Sequence, residues 1–202
     1  MRGIAPATPP RPSPNLLTPR SPSLFRSSLQ NLNLRLNRLG DEGGKLLLEG
    51  LLENSTLTQL NLSCNALEFD AATTTRQIVA TSTALRNLDL SCNLLSEEAG
   101  RLLREGLQQN GTLQSLQLAK NWVGNEGAAH MAEAIKVNAG LRFLDLSENH
   151  IHEPGAEALA EALGEIKVGV IRSKLQKLKL DAPNVDTVQE ATEGRAGVEL
   201  IA

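Results

Sequence analysis

Large aromatic side chains are almost absent from this chain of 202 residues. It has no tyrosine, one tryptophan and three phenylalanines, so aliphatic side chains, chiefly leucine, must build its core. The same scarcity limits how the chain can hold a partner, because interface energy concentrates in a few Trp, Tyr and Arg anchors. The single tryptophan is therefore the first residue to consider as a contact.

A basic excess, long apolar runs and cysteines are also lacking. The formal net charge is -3 and the pI is about 5.7, which argues against nucleic acid as the main ligand. No run approaches the roughly eighteen apolar residues of a membrane span, and no apolar segment follows the first arginine as in a secretory signal. Two cysteines fit a reducing compartment. We therefore expect a cytoplasmic protein with no membrane partner.

Prolines are concentrated at one end of the chain. Seven of the nine lie in residues 1–22, among Ser, Thr and Arg and without an acidic residue. This composition predicts that residues 1–28 form a disordered Pro/Ser/Arg-rich arm. Two alternatives remain open for the arm, which are phosphorylation at its Ser-Pro and Thr-Pro pairs and a role as an organelle transit peptide.

From residue 29 onward, four columns of identical residues recur every 28 residues. The columns are Leu29, Leu57, Leu85, Leu113 and Leu141; Leu32, Leu60, Leu88, Leu116 and Leu144; Leu34, Leu62, Leu90, Leu118 and Leu146; and Asn37, Asn65, Asn93, Asn121 and Asn149. Chance does not produce four such columns, so the chain contains five copies of one structural unit.

Each unit reads as a short strand with the pattern LxxLxL, an asparagine turn, and a helix with apolar residues four positions apart. One unit cannot bury its apolar face alone, but stacked units pair their strands in parallel and share a core. Helices about 10 Å wide alternate with strands about 4.8 Å apart, so the stack must bend. The predicted fold is an α/β solenoid, a partial horseshoe with parallel strands on the concave side and helices on the convex side.

The asparagine column has a structural explanation. A carboxamide offers two donors and one acceptor, which can satisfy backbone groups in turns that no strand pairing reaches. We therefore expect these asparagines to form hydrogen bonds within the turns and to have no catalytic role.

Two regions depart from the repeat. The helix of repeat two contains a run of threonines, which lowers helix propensity, so we expect it to be the least regular helix. After repeat five the period breaks, and Leu175, Leu178 and Leu180 indicate a degenerate sixth strand whose lysines protect the end of the sheet. The repeat domain is accordingly placed at residues 29–185, and residues 186–202 are expected to form a polar tail.

The repeat "LQNLNLRLNRLGDEGGKLLLEGLLEN" resembles the ribonuclease-inhibitor type of leucine-rich repeat. The resemblance covers residues 29 to about 166 and implies the horseshoe fold. It does not imply one function, because such proteins include inhibitors, GTPase activators, innate-immune receptors and cytoskeletal subunits. The phrase "LNLRLNRLGDEGG" is similar to repeats in leucine-rich-repeat subunits of the axonemal nexin-dynein regulatory complex.

No residue pattern indicates catalysis. Asp89 and Asp145 share a concave column but lie two strands apart, about 10 Å at the backbone, which does not indicate an acid/base pair. The three histidines lack companion ligands at metal-binding spacing. We therefore expect no enzyme activity, metal, cofactor or small-molecule substrate.

Cys64 and Cys92 occupy one register in adjacent repeats. Two interpretations remain open for them, a vicinal redox pair and two small free thiols in a reduced cell.

The resemblance and the missing chemistry favour a non-catalytic scaffold that binds other protein subunits within a larger assembly. The specific expectation is a subunit of the axonemal nexin-dynein regulatory complex, in the cytoplasm or the cilium. One alternative is a GTPase activator of the Ran type, for which Arg35 and Arg38 would lie in an exposed turn. Another is a regulatory fragment of an innate-immune receptor.

Repeats four and five are the expected partner-binding region. Trp122 follows the asparagine of its turn, and His150 occupies the same column one repeat later. Arg142, Phe143 and Asp145 belong to the strand segment of repeat five. These five residues are the predicted partner-binding site, against the alternative that Trp122 only shields its own turn.

Overall fold

Strands and helices alternate along residues 28–167, 173–192 and 198–202, which are the residues that the computed structural model describes. The strands are β1 (Asn31–Asn33), β2 (Gln59–Asn61), β3 (Asn87–Asp89), β4 (Ser115–Gln117), β5 (Phe143–Asp145), β6 (Lys177–Lys179) and β7 (Glu199–Ile201). The helices are α1 (Gly40–Leu51), α2 (Phe69–Thr81), α3 (Glu97–Gln109), α4 (Gly124–Val137), α5 (Glu153–Lys167) and α6 (Ala182–Thr192). The predicted arm falls almost entirely on residues 1–27, which lie outside the described residues.

The described strands form one parallel sheet in chain order, β1 to β7. From β1 to β5 each strand pairs with the next at an offset of 28 residues, so that Leu60 aligns with Leu32 and with Leu88. Each helix packs against the next one along the chain. The predicted leucine-rich repeat solenoid is therefore confirmed, with parallel strands in one layer and helices in the other.

Leucine fills the space between the two layers. The central leucine of each inner strand is buried, as are the leucines that follow the strand and those on the inward face of the helix. Examples are Leu88 and Leu90 on the strand side and Leu103 and Leu107 on α3, each about 1% exposed. Because these aliphatic side chains recur at every repeat, the core is continuous along the solenoid and needs no aromatic residue.

Small residues let adjacent helices approach closely. A β-carbon added at Gly100 of α3 would lie 2.7 Å from the Cα of Gly127 in α4. The obstructing atom belongs to the backbone, so it cannot move aside as a flexible side chain would. This contact requires glycine at residue 100 and sets the distance between these two helices.

The asparagine column forms a hydrogen-bonded ladder between repeats, as predicted. The side-chain nitrogen of Asn93 donates to the carbonyl of Leu90 in its own repeat (2.8 Å) and of Leu62 in the preceding one (3.1 Å). Its side-chain oxygen accepts from the N–H groups of Asn65 (2.9 Å) and Leu67 (3.1 Å). From repeat two to repeat five, each ladder asparagine thus joins two turns whose backbone groups would otherwise be buried without partners.

The threonine run does not interrupt the second helix, which the sequence predicts to be the least regular. α2 is continuous over 13 residues, and the hydroxyl of buried Thr75 donates to the carbonyl of Ala71 at 2.8 Å. The carboxylate of Asp41, in the preceding repeat, accepts the N–H groups of Glu68, Asp70 and Ala71 at 2.8 to 2.9 Å. This cap from a neighbouring repeat compensates for the low helix propensity of the threonines.

The end of the domain also differs from the expectation. β6 forms as predicted, but it is not the last described strand, because β7 pairs with it and places Leu200 opposite Leu178. Lys177 forms an ion pair with Glu199 of β7 at 2.8 Å instead of protecting a free edge. Residues 182–192 are helical. The sheet therefore extends beyond residue 185, and the stretch assigned as a polar tail contributes a helix and a strand.

The ladder predicts a large effect of Asn93→Ala on stability. The substitution leaves the buried N–H groups of Asn65 and Leu67 and the carbonyls of Leu62 and Leu90 without this partner. At about 1 to 3 kcal/mol for each unsatisfied buried group, partly relieved by relaxation, the free energy of unfolding should fall by about 3 kcal/mol. Urea denaturation measures this change.

Asn87→Ala is the matched control, because Asn87 belongs to the same repeat but lies half-buried on the exposed face of the sheet. Its substitution should change the free energy of unfolding by less than about 0.5 kcal/mol. Equal effects of the two substitutions would contradict the role given to the ladder.

Candidate functional site

The turns between strands and helices form one edge of the solenoid, which we call the turn edge. The residue three positions after each of the first five strands has a positive φ, namely Leu36, Cys64, Cys92, Lys120 and Glu148. This conformation costs an ordinary residue about 1 kcal/mol or more. It is held because backbone bonds such as Cys92 N–H to Ala119 C=O (2.7 Å) join each turn to the next. The turn edge is consequently a rigid row of outward side chains.

Trp122 and His150 are stacked on the turn edge. Their ring centroids lie 4.5 Å apart and the planes differ by 20°. The backbone N–H of Trp122 donates to the carbonyl of Leu95 at 2.8 Å, which fixes its position in the turn. The side chain nevertheless remains 58% exposed. Two of the predicted partner-binding residues are therefore brought together as a surface aromatic pair.

A groove of about 790 Å³ opens beside this pair. One wall is formed by Trp122 and His150, and the other by the start of α6, including Pro183 and Asn184. The groove exists because the connection from β6 to α6 has only residues 180–181, whereas the connection from β5 to α5 has residues 146–152. The sixth repeat thus lacks the turn that would cover His150.

The groove carries more negative than positive charge. Glu148, Glu153 and Asp181 line it together with a single ammonium group, that of Lys120. Lys120 lies 3.2 Å from Glu148, but both side chains are about 60% exposed, so water weakens this ion pair. One oxygen of Asp181 accepts the backbone N–H of Glu148 at 2.8 Å, which ties the groove wall to the turn of repeat five.

The remaining predicted site residues lie elsewhere. Phe143 is half-buried at the start of β5, Arg142 is exposed just before it, and neither lines the groove. Asp145 is buried, and one of its oxygens accepts the N–H (3.0 Å) and the hydroxyl (2.6 Å) of Ser147. The predicted site is therefore divided between the turn edge and the face of the sheet.

Asp145 and Asp89 have equivalent structural roles. An oxygen of Asp89 accepts the N–H of Ser91 at 3.0 Å, as Asp145 does with Ser147. These bonds stabilise the turn after the strand and use the carboxylates locally. Among the described residues, no three His, Cys, Asp or Glu side chains are grouped so as to hold a metal ion.

The acidic side of the groove was not predicted from the sequence. Glu148 and Glu153 occupy ordinary repeat positions, and Asp181 belongs to the segment where the period breaks. The available signal was the very short stretch between the sixth strand pattern and Pro183, which leaves no room for a full turn.

Comparison with known proteins agrees with this geometry. The model of the leucine-rich repeat family matches residues 27–48, 53–68, 109–132 and 137–160. The chain is a leucine-rich repeat protein. No curated protein matches its sequence significantly. Among solved structures, it is similar to the leiomodin-1 actin-binding site 2, with a TM-score of 0.54 and 16% identity, covering 69% of this chain and 84% of that one. At this identity the similarity concerns the fold alone.

Cys64 and Cys92 stand side by side on the turn edge of this leucine-rich repeat protein, and they are not joined in a disulfide. The hydrogen bond between their side chains raises the pKa of Cys92, and partial desolvation and the charge of Cys64 act in the same direction. The positive charges of Lys120 and Arg35 oppose this rise. At neutral pH, Cys92 therefore holds its proton more firmly than an ordinary cysteine.

This contact predicts how fast Cys92 is alkylated. A raised pKa leaves less thiolate, which is the reactive form, so Cys92 should react slowly near pH 8 although it is exposed. Cys64→Ala removes the hydrogen bond, lowers the pKa of Cys92 and should accelerate its reaction with iodoacetamide. Mass spectrometry of the labelled peptide gives the rates.

In urea, where the contact is lost, Cys92 of both chains should react at the same rate. Equal rates in the two folded chains would show that Cys64 does not control the Cys92 thiol.

None of the described helices is long and apolar enough to cross a membrane.

Proposed function

We propose that the chain is a non-catalytic protein-interaction module and serves as a subunit of a larger assembly. The observation that carries this proposal is the exposed Trp122–His150 pair beside a large groove. An aromatic anchor at the edge of a preformed depression has the properties of an interaction hot spot. Such a contact needs no rearrangement of the solenoid, because the backbone of both turns is fixed by hydrogen bonds.

The face of the sheet offers a second contact in the proposed interaction. Arg142 is exposed and Phe143 half-buried at one end of β5, and Lys179 of β6 lies 3.8 Å from Asp145 at the other end. A partner that wraps over the turn edge from the groove would reach this face. Arg142, Phe143 and Asp145 therefore remain proposed partner-binding residues, with Asp145 acting through the turn that it stabilises.

The finer proposal is a subunit of the axonemal nexin-dynein regulatory complex. It is supported by the similarity of "LNLRLNRLGDEGG" to repeats in subunits of that complex. The structural neighbour, an actin-binding site of leiomodin-1, offers one example of a similar fold in a protein that binds actin. The proposed location is accordingly the cytoplasm, at the axoneme of a cilium.

Cosedimentation tests this proposal directly. The purified chain should sediment with isolated axonemes depleted of their endogenous regulatory complex, and saturation of the signal would distinguish specific sites from adsorption. A parallel assay of Ran GTPase tests the alternative, for which the exposed Arg35 and Arg38 would supply the arginine. Stimulated GTP hydrolysis without axoneme binding would replace the proposal by that alternative.

Trp122→Ala should separate binding from stability. Removal of a hot-spot tryptophan should weaken axoneme binding by about 2 kcal/mol or more. Because Trp122 is mostly exposed, the free energy of unfolding should fall by less than about 1 kcal/mol, mainly through loss of the stack with His150. Cosedimentation and urea denaturation measure the two effects.

The matched control is Phe69→Ala, since Phe69 is also a large aromatic residue, 54% exposed, but belongs to α2 and does not line the groove. It should leave axoneme binding unchanged. Unchanged binding combined with a large loss of stability in Trp122→Ala would show that Trp122 only shields its own turn.

A further inference from the structure

We propose that the groove on the turn edge binds an arginine side chain presented by an extended segment of a partner protein. The inference rests on the proposed function, because it names the chemistry of the partner at the same groove. It combines three features of the groove, which are its charge, its exposed ring pair and its size.

The charge of the groove favours a cation. Three carboxylates line it, those of Glu148, Glu153 and Asp181, against the one ammonium of Lys120. Lys120 does not neutralise Glu148 effectively, because the ion pair between them is open to water. An incoming cation would bind Glu153 at the start of α5 without displacing Lys120 from Glu148.

The ring pair favours arginine over lysine. A guanidinium group is planar, stacks on an indole face and can donate two parallel hydrogen bonds to one carboxylate. Trp122 and His150 present their stacked rings on the same groove that Glu153 lines. A single arginine could therefore contact a ring and a carboxylate at once, whereas the compact ammonium of lysine matches the carboxylate alone.

The size of the groove indicates an extended segment. A volume of about 790 Å³ exceeds that of one side chain and lies within the roughly 300 to 1,000 Å³ of pockets that enclose a drug-sized ligand. The groove runs between the turn edge and the start of α6. Residues on either side of the arginine would then pack against Pro183 and Thr187 of α6.

Fluorescence of the full-length chain provides the test, because Trp122 is its single tryptophan and no tyrosine contributes. The probe is a blocked peptide with one arginine between prolines, and its control contains citrulline, which has nearly the same shape without the charge. The arginine peptide should change the Trp122 emission and bind at least about fivefold more tightly than the citrulline peptide. Equal binding of the two peptides would overturn the inference.

Two substitutions test whether the carboxylate of Glu153 binds the arginine of the peptide. Glu153→Gln should weaken binding of the arginine peptide roughly threefold. Glu97→Gln is the matched control, since Glu97 is likewise the first residue of its helix, α3, and is exposed, but does not line the groove. It should leave binding unchanged. Equal effects of the two substitutions would contradict the assignment, and the comparison of the two peptides on the unaltered chain does not depend on how these variants fold.

Other occupants would give different results. The chain carries Arg2, Arg11, Arg20 and Arg26 near its N-terminus. If replacing these four by glutamine shifts the Trp122 emission without any peptide, the groove holds the chain's own arm and the partner assignment is wrong. Emission that depends on protein concentration would indicate a second copy and would also overturn it.

The failure of this inference is distinguishable from the failure of the proposed function. If axoneme binding depends on Trp122 but the peptides do not differ, the proposed function stands and the arginine chemistry is wrong. If the chain binds the arginine peptide selectively but Trp122→Ala does not weaken axoneme binding, the arginine assignment stands and the proposal of an axonemal assembly is wrong.

Discussion

From repeat two to repeat five, one asparagine carboxamide in each repeat holds neighbouring turns together, and most of the architecture depends on that interaction. Its nitrogen reaches two carbonyls in successive repeats, and its oxygen accepts N–H groups from the preceding turn, as at Asn93. These bonds form only if the turns of successive repeats have the same position relative to the sheet. This requirement explains the strict period of 28 residues, the in-register pairing of the strands and the positive φ of the turn residues. Each repeat is stabilised mainly by its neighbours.

The groove lies where this constraint ends. Asn149 is the last asparagine of the column, and 34 residues later, at the offset of the next strand, the chain has Pro183. Asn184 replaces part of the ladder, since its buried side chain donates to the carbonyl of Ile151 at 2.9 Å. The connection from β6 to α6 nevertheless lacks a full turn, so the row of outward side chains ends at His150. The side of His150 that faces away from Trp122 is left uncovered. The irregular repeat creates the depression that regular repeats would fill.

The candidate site was predictable only in part. A common column of the repeat placed Trp122 next to His150, and the structure stacks them because turns one repeat apart are fixed neighbours. The other three residues of the predicted site are Arg142, Phe143 and Asp145. They belong to β5 or directly precede it, so they lie at the sheet and do not line the groove. The acidic wall was not expected, because the position of Asp181 depends on how the short connection before α6 closes against repeat five.

The sequence alone determined the period, the strand order and register, the leucine core and the asparagine ladder, because each follows from a local pattern repeated five times. Only the tertiary structure decided the regularity of α2, the pairing of β7 and the shape and charge of the groove. α2 depends on a cap from Asp41 of the preceding repeat, and β7 on the alignment of Leu200 with Leu178. Both contacts join segments that have no common pattern, so their effect appears only when the chain is folded.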